Sequence, residues 1–337
     1  MMARLLRNAL LLFLLAWQGA ALAQAAAGDT LRPLRFGILP LGGALESREP
    51  WTPLLANLGT ALGRPVAALS VTSYELLERA IRRNEVDIAF LSAQMALDAV
   101  TQRRMNVVAQ VARQAGPSAH RAVLLTRREG PVTTLEGVLA QPERWRLARG
   151  DNRSVTGFIL PQVQLFLPSR IAMETRFRSE FVGTHQATAL AVANGDADVA
   201  TNNTTDFERF KVQFPVEAAR LHVVWTSEPT PQGQILVRRD HSPELQAKVR
   251  AAFVAYGRTP GPNQAAQSAV LKTLHAELGF VAADNSALEG AATLGYQLEK
   301  QRAVAAQWVN DEARQARLQR IEAAYAQQVA VLRERPR

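Results

Sequence analysis

Short apolar runs alternate with amphipathic stretches along most of this chain, and the alternation predicts an α/β fold. A first series of such elements covers residues 34–112, and its apolar runs have the length of strands. The stretches between them repeat apolar residues every three or four positions, as a helix with one buried face does. The predicted strands are 34–40, 66–71, 86–91 and 107–112, and the predicted helices are 51–62, 73–83 and 93–103. Thr72 and Glu75 predict a capping box that places Tyr74 in the first turn of its helix.

A second series of the same kind begins near residue 120. Its predicted strands are 120–126, 145–148, one ending at 181–182, 197–200, 221–225 and 234–238. Its predicted helices are one that starts near 154, a second at 185–194 that Thr184 caps, and a third at 205–211. The rest of the chain is predicted to be helical at 243–255, 264–277, 288–308 and 310–334. In the last helix, an apolar stripe of Leu318, Ile321, Tyr325 and Val329 predicts packing on the first series.

Two similar α/β series in one chain predict two lobes. The chain would cross twice between them, and the ligand would bind in the hinged cleft. We assign residues 30–120 and 232–337 to lobe one and residues 121–231 to lobe two. The later strands, 221–225 and 234–238, are expected to return the chain to lobe one.

The first residues have the pattern of a secretory signal. Arg4 and Arg7 precede an apolar run at 9–17, and Ala21–Leu22–Ala23 provides small residues at the positions that signal peptidase recognises. We therefore expect cleavage after Ala23 and a periplasmic protein. The chain contains no cysteine, which excludes a lipoprotein anchor, disulfides and thiolate metal sites.

The formal net charge of +9 favours an anionic partner without specifying which one. Basic residues are scattered in pairs and no aromatic stacking platform accompanies them, so we do not expect nucleic-acid binding. A small acidic ligand fits this distribution better, as does solubility alone. No sequence motif for a nucleophile, a metal site, a cofactor or a phosphate loop is present, so neither an enzyme nor a cofactor is expected.

Several polar residues share one context: each lies where a strand ends or where the following helix begins. They are Tyr74, Ser92, Ser154, Thr156, His185 and Thr204–Thr205. Unpaired N–H groups and a partial positive charge at helix N-termini suit an anion.

The segment 150–157, GDNRSVTG, offers two hydroxyl groups and free backbone amides to one tetrahedral anion. The alternative is that Ser154 is an ordinary helix cap. Alternatives also stay open for His185, as a surface or capping residue, and for Tyr74, as a packed aromatic. Asp196 and Asp198 lack a histidine partner at ligand spacing, and we interpret them as structural.

Three stretches between about residues 34 and 310 resemble the periplasmic phosphonate-binding proteins of ABC importers, within the broader group that binds phosphate, phosphite and phosphonate. Residues 150–158, GDNRSVTGF, resemble the anion loop of that family. Residues 184–205, THQATALAVANGDADVATNNTT, are similar to its histidine-to-NNT segment, and residues 256–260, YGRTP, resemble its C-terminal helix junction. The resemblance implies a two-lobed α/β solute-binding protein of the type II, or venus-flytrap, kind with two hinge crossovers.

The resemblance also implies roles by position. Ser154 and Thr156 match the hydroxyl groups that hold the phosphonate oxygens, and Val155, where the family often has threonine, contributes only its backbone N–H. His185 matches the oxyanion-binding histidine, and Tyr74 matches the tyrosine from lobe one. His120 stands where the aminoethylphosphonate binders have a second tyrosine.

Two departures concern the ligand amine, which those binders hold with two carboxylates. The matching positions here are Thr205, with Asp206 adjacent, and Gly233. Because a buried ammonium without carboxylates is costly, the resemblance implies that this pocket keeps the phosphonate half and lacks the amine half. The expected ligands are phosphite, phosphate, simple alkylphosphonates or phosphonate esters.

The predicted function is the substrate-binding component of an ABC importer, with a permease in the inner membrane as its partner. The expected state is a monomer or a weak dimer. Alternatives left open are a ligand-presenting adaptor for a membrane sensor kinase and a binder of another anion, such as a sulfonate.

Overall fold

The computed structural model describes residues 32–40, 42–112, 120–231 and 233–334. The predicted secretory signal at 1–23 lies outside these residues. Among the helices described, none is long and apolar enough to cross a membrane.

The described strands form two separate sheets. They are β1 Leu34–Ile38, β2 Val66–Ser70, β3 Ile88–Leu91, β4 Met105–Val111, β5 Arg121–Arg127, β6 Arg146–Arg149, β7 Ser179–Val182, β8 Val199–Asn203, β9 Leu221–Pro229, β10 Gln234–Arg238 and β11 Phe280–Ala282. The first sheet has the order β11-β4-β10-β3-β1-β2 and the second has the order β7-β6-β8-β5-β9. The chain therefore passes to the second sheet between β4 and β5 and returns between β9 and β10.

Both sheets are mixed. In the first sheet, β1 runs parallel to β2 and β3, whereas β10 runs antiparallel to β3 and β4. In the second sheet, β6 runs parallel to β7 and β8, whereas β5 runs antiparallel to β8 and β9. The α/β fold predicted from the apolar pattern is confirmed. Strand β9 stays in the second sheet, so β10 alone returns the chain to the first sheet.

Helices cover the sheets. The α-helices are Ala44–Arg48, Thr52–Leu62, Tyr74–Arg82, Ala93–Thr101, Leu135–Ala140, Met173–Arg176, His185–Asn194, Thr204–Gln213, Pro215–Ala219, Pro243–Ala255, Gln264–Thr273, Glu289–Ala305 and Asp311–Arg333. Short 3₁₀ helices are Glu49–Trp51, Pro142–Arg144 and Asn285–Leu288, and π-helical turns are Val155–Ile159 and Gln162–Phe166.

Two local predictions need correction, and one strand was missed. Ser73, not Thr72, caps the helix Tyr74–Arg82, because its backbone is extended and its hydroxyl oxygen accepts a hydrogen bond from the N–H of Leu76 at 3.2 Å. Strand β8 continues to Asn203 instead of ending at residue 200, because pairing with β5 extends that far. Strand β11 was not predicted, since it is three residues long and its only partner in the described sheet is β4.

The C-terminal helices contact both halves of the molecule. In Asp311–Arg333, Ile321 is buried, whereas the other residues of the predicted stripe are only partly so. Tyr325 packs against the hydrophobic cluster of the first sheet, as the stripe predicts. In Glu289–Ala305, Leu298 belongs instead to a cluster with Phe158 of the second half. Assignment of the whole of 232–337 to lobe one therefore stays a prediction.

Candidate functional site

A cavity of about 150 Å³ lies between the two sheets. The nine residues predicted to bind the ligand all line it: Tyr74, Ser92, His120, Ser154, Val155, Thr156, His185, Thr205 and Asp206. Thr204, which the sequence analysis grouped with Thr205, is not among the lining residues. Residues from distant parts of the chain thus meet at one place.

The cavity is surrounded by the beginnings of helices. Tyr74, His185 and Thr204 are the first residues of their helices, and Ala93 and Val155 begin two more helical segments. Their neighbours Ser73, Ser92, Ser154, Thr184 and Asn203 each accept a hydrogen bond from a backbone N–H two or three positions into the helix. The remaining first-turn N–H groups have no partner within the helix, so this region carries the positive ends of several helix dipoles.

The loop 150–157 is shaped by two glycines that approach each other closely. A Cβ atom on Gly157 would lie 2.7 Å from the Cα atom of Gly150, closer than any side chain tolerates. The N–H of Gly150 donates to the carbonyl of Gly157 at 3.1 Å, and the hydroxyl of Ser154 accepts from the N–H of Gly157 at 2.9 Å. Ser154 is therefore a helix cap, as the alternative interpretation held, and it also lines the cavity.

Thr156, His185 and Asn203 form a buried polar group on the second-sheet side. The Thr156 hydroxyl lies 3.1 Å from Nε2 of His185, and Nδ2 of Asn203 donates to that hydroxyl at 3.4 Å. Thr156 and His185 are each 5% exposed. Nδ2 of Asn202 donates to the carbonyl of His185 at 2.7 Å, which fixes the start of that helix.

Three histidines line the cavity, and two of them, His120 and His185, are neutral at pH 7. Burial lowers the pKa of His185, against the opposing influence of the Asp206 carboxylate. Burial lowers the pKa of His120 to about 4, although Asp206 again opposes the change. Nδ1 of His120 lies 2.8 Å from the Thr205 hydroxyl. Both imidazoles therefore offer hydrogen-bonding nitrogens without a permanent charge.

Asp206 supplies an ionised carboxylate whose charge is balanced by other groups of the protein. Burial raises its pKa, but Arg209, the two histidines and a hydrogen bond from Asn203 outweigh this, so its pKa lies below the ordinary value. Nδ2 of Asn203 donates to Oδ2 at 2.7 Å, and Arg209 lies 3.3 Å from Oδ1.

The first-sheet side of the cavity is more apolar. It contains Leu39, Trp51 and Phe90 together with Tyr74 and Ser92. Burial raises the pKa of Tyr74 well above its ordinary value, and its phenol forms a hydrogen bond with the Ser154 side chain. Tyr74 therefore stays protonated and links the two sides of the cavity. The hydroxyl of Ser92 caps its helix by accepting from the N–H of Met95 at 3.4 Å.

The sequence did not single out several further lining residues. They include Glu46, Trp51, Phe90, Asn203, Thr230, His275 and Glu277. Asn203 had a detectable signal, because it directly precedes a helix and caps it, as Ser92 and Ser154 do. His275 and Glu277 follow a helix and have no such signal.

Two polar contacts join the sides of the cavity near its edge. Arg153 pairs with Glu78 at 2.5 Å, and Nε2 of Gln186 donates to Oε1 of Glu46 at 3.4 Å. Glu78 lies one turn after Tyr74, and Arg153 directly precedes Ser154. These two contacts between the sides therefore adjoin residues that line the cavity.

No group of histidine and acidic residues in the described ranges is arranged to hold a metal ion. Asp198 is buried and receives hydrogen bonds from the backbone and guanidinium of Arg146 at 2.8–3.0 Å. The structural interpretation of Asp198 thus agrees with its contacts.

Comparison with known proteins places the chain in one family. Residues 36–288 match the family described as the periplasmic substrate-binding protein of phosphonate ABC transporters. The phosphonates-binding periplasmic protein of Escherichia coli (strain K12) is 31% identical over 239 residues, which cover 71% of this chain and 70% of that protein.

Solved structures agree with this result. A binding protein component of an ABC phosphonate transporter from Pseudomonas aeruginosa has a TM-score of 0.82 and 26% identity, covering 88% of this chain and 97% of that chain. PhnD1 from Prochlorococcus marinus (MIT 9301), solved in complex with methylphosphonate, has a TM-score of 0.67 and 16% identity. It covers 79% of this chain and 97% of that chain, and supports the fold alone. The geometry, two α/β halves around a cavity lined by hydroxyl and imidazole side chains, agrees with these matches. The chain therefore belongs to the periplasmic substrate-binding proteins of phosphonate ABC transporters.

Proposed function

We propose that this protein binds a phosphonate or a related phosphorus oxyanion, such as phosphite, phosphate or an alkylphosphonate, in the cavity between the sheets. It then delivers the ligand to an ABC permease in the inner membrane. The exported, mature chain acts in the periplasm without a cofactor. The observation that carries the proposal is the convergence of helix N-termini and buried neutral donors on one cavity.

The anion is held on the second-sheet side in this proposal. The hydroxyl groups of Ser154 and Thr156, the backbone N–H of Val155 and the imidazole of His185 surround its oxygens. All four residues line the cavity. Hydrogen bonds to a charged group are stronger than those between neutral partners, so a few donors suffice.

Electrostatics favour an anion over a cation at this position. The helices that begin at His185 and Thr204 direct their positive ends to the cavity. The buried carboxylate of Asp206 is offset by Arg209 at 3.3 Å. A ligand anion also favours protonation of His185. We therefore expect the affinity for the anion to rise as the pH falls and the imidazolium form becomes more populated.

Closure completes the site. Residues 30–120 and 232–337 form one lobe and residues 121–231 the other in this proposal. Tyr74 reaches the bound anion only when the lobes are together. The ligand shifts the equilibrium toward the closed form through the contacts it makes there, and the closed surface docks on the permease.

The test is a thermal-shift screen of the mature chain, followed by calorimetric titration. The anions are phosphite, phosphate, methylphosphonate, sulfate and methylsulfonate. A ligand at about 100 times its dissociation constant stabilises the folded state by about 2.7 kcal/mol, so a cognate anion gives a clear rise in Tm. The expected result is a rise with at least one phosphorus anion and none with the sulfur anions. Equal shifts with the sulfonate, or none with any phosphorus anion, contradict the proposal.

A further inference from the structure

The part of the cavity beside the first sheet presents hydrocarbon. The ring of Phe90 lines the cavity and packs on Trp51, with the ring centroids 4.9 Å apart and the planes inclined at 43°. Leu39 and Leu274 line the same cavity. This aromatic and aliphatic surface, which we call the Phe90 wall, is where a ligand would place the part that is not the anion.

The absence of a side chain on Gly233 allows the Phe90 ring to occupy its position in the cavity wall. A Cβ atom on Gly233 would lie 2.5 and 2.6 Å from two carbons of that ring. The backbone of Gly233 has little freedom to withdraw, because its carbonyl accepts from the N–H of Val111 at 3.0 Å. Any side chain at position 233 would therefore displace the ring from the cavity wall.

The carboxylates that line the cavity are already engaged. Asp206 accepts from Asn203 and Arg209. Glu46 accepts from the N–H of Gly43 at 2.9 Å and from Gln186 at 3.4 Å. Glu277 interacts electrostatically with His275. A ligand ammonium group would have to share a carboxylate with these partners, and against the Phe90 wall it would remain unpaired, where a buried charge is costly.

The size of the cavity argues for a substituent. Its volume of about 150 Å³ has room for roughly ten water-sized groups, at 10–15 Å³ for each. Phosphite or phosphate alone fills only part of this space. The remaining space adjoins the Phe90 wall, where an apolar group would displace water.

We propose that the Phe90 wall is a subsite for an uncharged hydrocarbon substituent, so that alkyl- and arylphosphonates are the preferred ligands. This inference rests on the proposed function, since it assumes that the second-sheet side holds the phosphonate. Phe90 and Gly233 together act as the specificity-determining residues.

The test uses the mature chain and a matched pair of ligands. Propylphosphonate and aminoethylphosphonate have the same shape, with a methyl group in one where the other has an ammonium group. We expect propylphosphonate to bind at least about tenfold more tightly, because the Phe90 wall offers no carboxylate. We also expect affinity to rise about fourfold for each carbon from methyl- to ethyl- to propylphosphonate, the factor that corresponds to about 0.8 kcal/mol per buried CH₂.

Variants of the wall provide the second measurement. Phe90→Ala is expected to reduce the ratio of propyl- to methylphosphonate affinity to near one while methylphosphonate still binds, whereas Phe90→Leu keeps most of that ratio. In the double variant Phe90→Ala/Gly233→Asp, space and a carboxylate are both present, and we expect aminoethylphosphonate to become the tighter ligand of the matched pair. Phe181→Ala is the control, because this ring is 48% exposed and is not among the cavity residues.

The outcomes separate this inference from the proposed function. Equal or tighter binding of aminoethylphosphonate by the unmodified chain overturns the subsite, even if methylphosphonate binds. A flat affinity across the alkyl series also overturns it. Failure of every phosphonate to bind overturns the subsite but leaves the proposed function standing if phosphite or phosphate binds. Failure of every phosphorus anion overturns both.

Discussion

The two sides of the cavity are built on opposite principles. On the second-sheet side, Thr156, His185 and Asn203 form a buried network in which each polar group is positioned by another. On the first-sheet side, Phe90 and Trp51 pack as hydrocarbon. Under the proposed function, the difference separates a polar side that would hold the anion from an apolar side that would contact the rest of the ligand. A polar network specifies geometry because an unsatisfied member is costly, while an apolar surface tolerates a range of ligands that fill it.

The first prediction, with the largest expected effect, disrupts the polar side through its backbone. Gly157→Ala places a Cβ atom 2.7 Å from the Cα atom of Gly150. Overpacking of this kind costs typically 1–3 kcal/mol and occasionally more, and we expect about 3 kcal/mol because backbone is the obstacle. Urea unfolding measures the change in the free energy of unfolding.

The control for this variant is Gly290→Ala, in the helix Glu289–Ala305, where the added Cβ would only make ordinary contact with Pro231 at 3.9 Å. Alanine there is expected to leave the stability unchanged or to raise it by up to about 1 kcal/mol. Equal losses in both variants would contradict the close approach of Gly150 and Gly157.

The second prediction compares the two sides directly. Thr156→Ala is expected to weaken phosphonate binding by about 1–3 kcal/mol, the range for a hydrogen bond to a charged group. Ser92→Ala, on the opposite side, removes the helix cap at Met95 and is expected to cost about 1 kcal/mol of stability. Calorimetric titration with methylphosphonate and urea unfolding of both variants check the pair. A greater loss of affinity in Ser92→Ala than in Thr156→Ala would reverse the proposed roles of the two sides.

The third prediction concerns pH. Because burial lowers the pKa of folded His120 to about 4 from an unfolded value near 6.5, the unfolded chain binds the additional proton first as the pH falls. The contribution of neutral His120 to the free energy of unfolding is therefore fully present above pH 6.5 and is lost between pH 6.5 and 4. The loss amounts to roughly 2 kcal/mol at pH 5.

His120→Asn is expected to flatten this part of the profile of unfolding free energy against pH, measured in urea. The lowered pKa of His185 acts in the same direction, so some slope remains in the variant. His222→Gln serves as the control, since His222 is in β9 and is not among the cavity residues. An unchanged slope in His120→Asn would show that His120 is not buried as described.

The fourth prediction has the smallest expected effect and concerns how the sides come together. Glu78→Gln removes the ion pair with Arg153, which joins a first-sheet helix to the loop 150–157. The pair is partly exposed, so we expect affinity to fall by about 0.2–1 kcal/mol. Glu75→Gln is the matched control, because Glu75 lies on the same helix and pairs with Arg79 of that helix. Calorimetric titration showing equal effects in both variants would contradict a role of the Glu78–Arg153 pair in closure.

Much of the site was predictable from local sequence. Ser92, Ser154 and His185 were singled out because each lies where a strand gives way to a helix, and the structure places all three on the cavity. The capping chemistry that makes such positions recognisable is local, so it is visible in the sequence. The same locality explains one error, because Thr72 and Ser73 are equally suitable caps and only the backbone conformation distinguishes them.

Other features were not predictable from local pattern. The neutrality of His120 and His185 depends on burial by distant segments, and no motif at either residue encodes it. The Phe90 ring beside Gly233 is likewise a contact between residues far apart in the chain. His275 and Glu277 reach the cavity from a region with no recognisable signal.

The sequence by itself determined the α/β class, the order of the elements and the residues that begin helices at the cavity, because periodicity and capping act over a few residues. Only the tertiary structure decided which of those helix starts meet, which carboxylates already have partners and which apolar side chains line the cavity. These properties arise from contacts between distant segments, whose burial changes charge and whose packing fixes space.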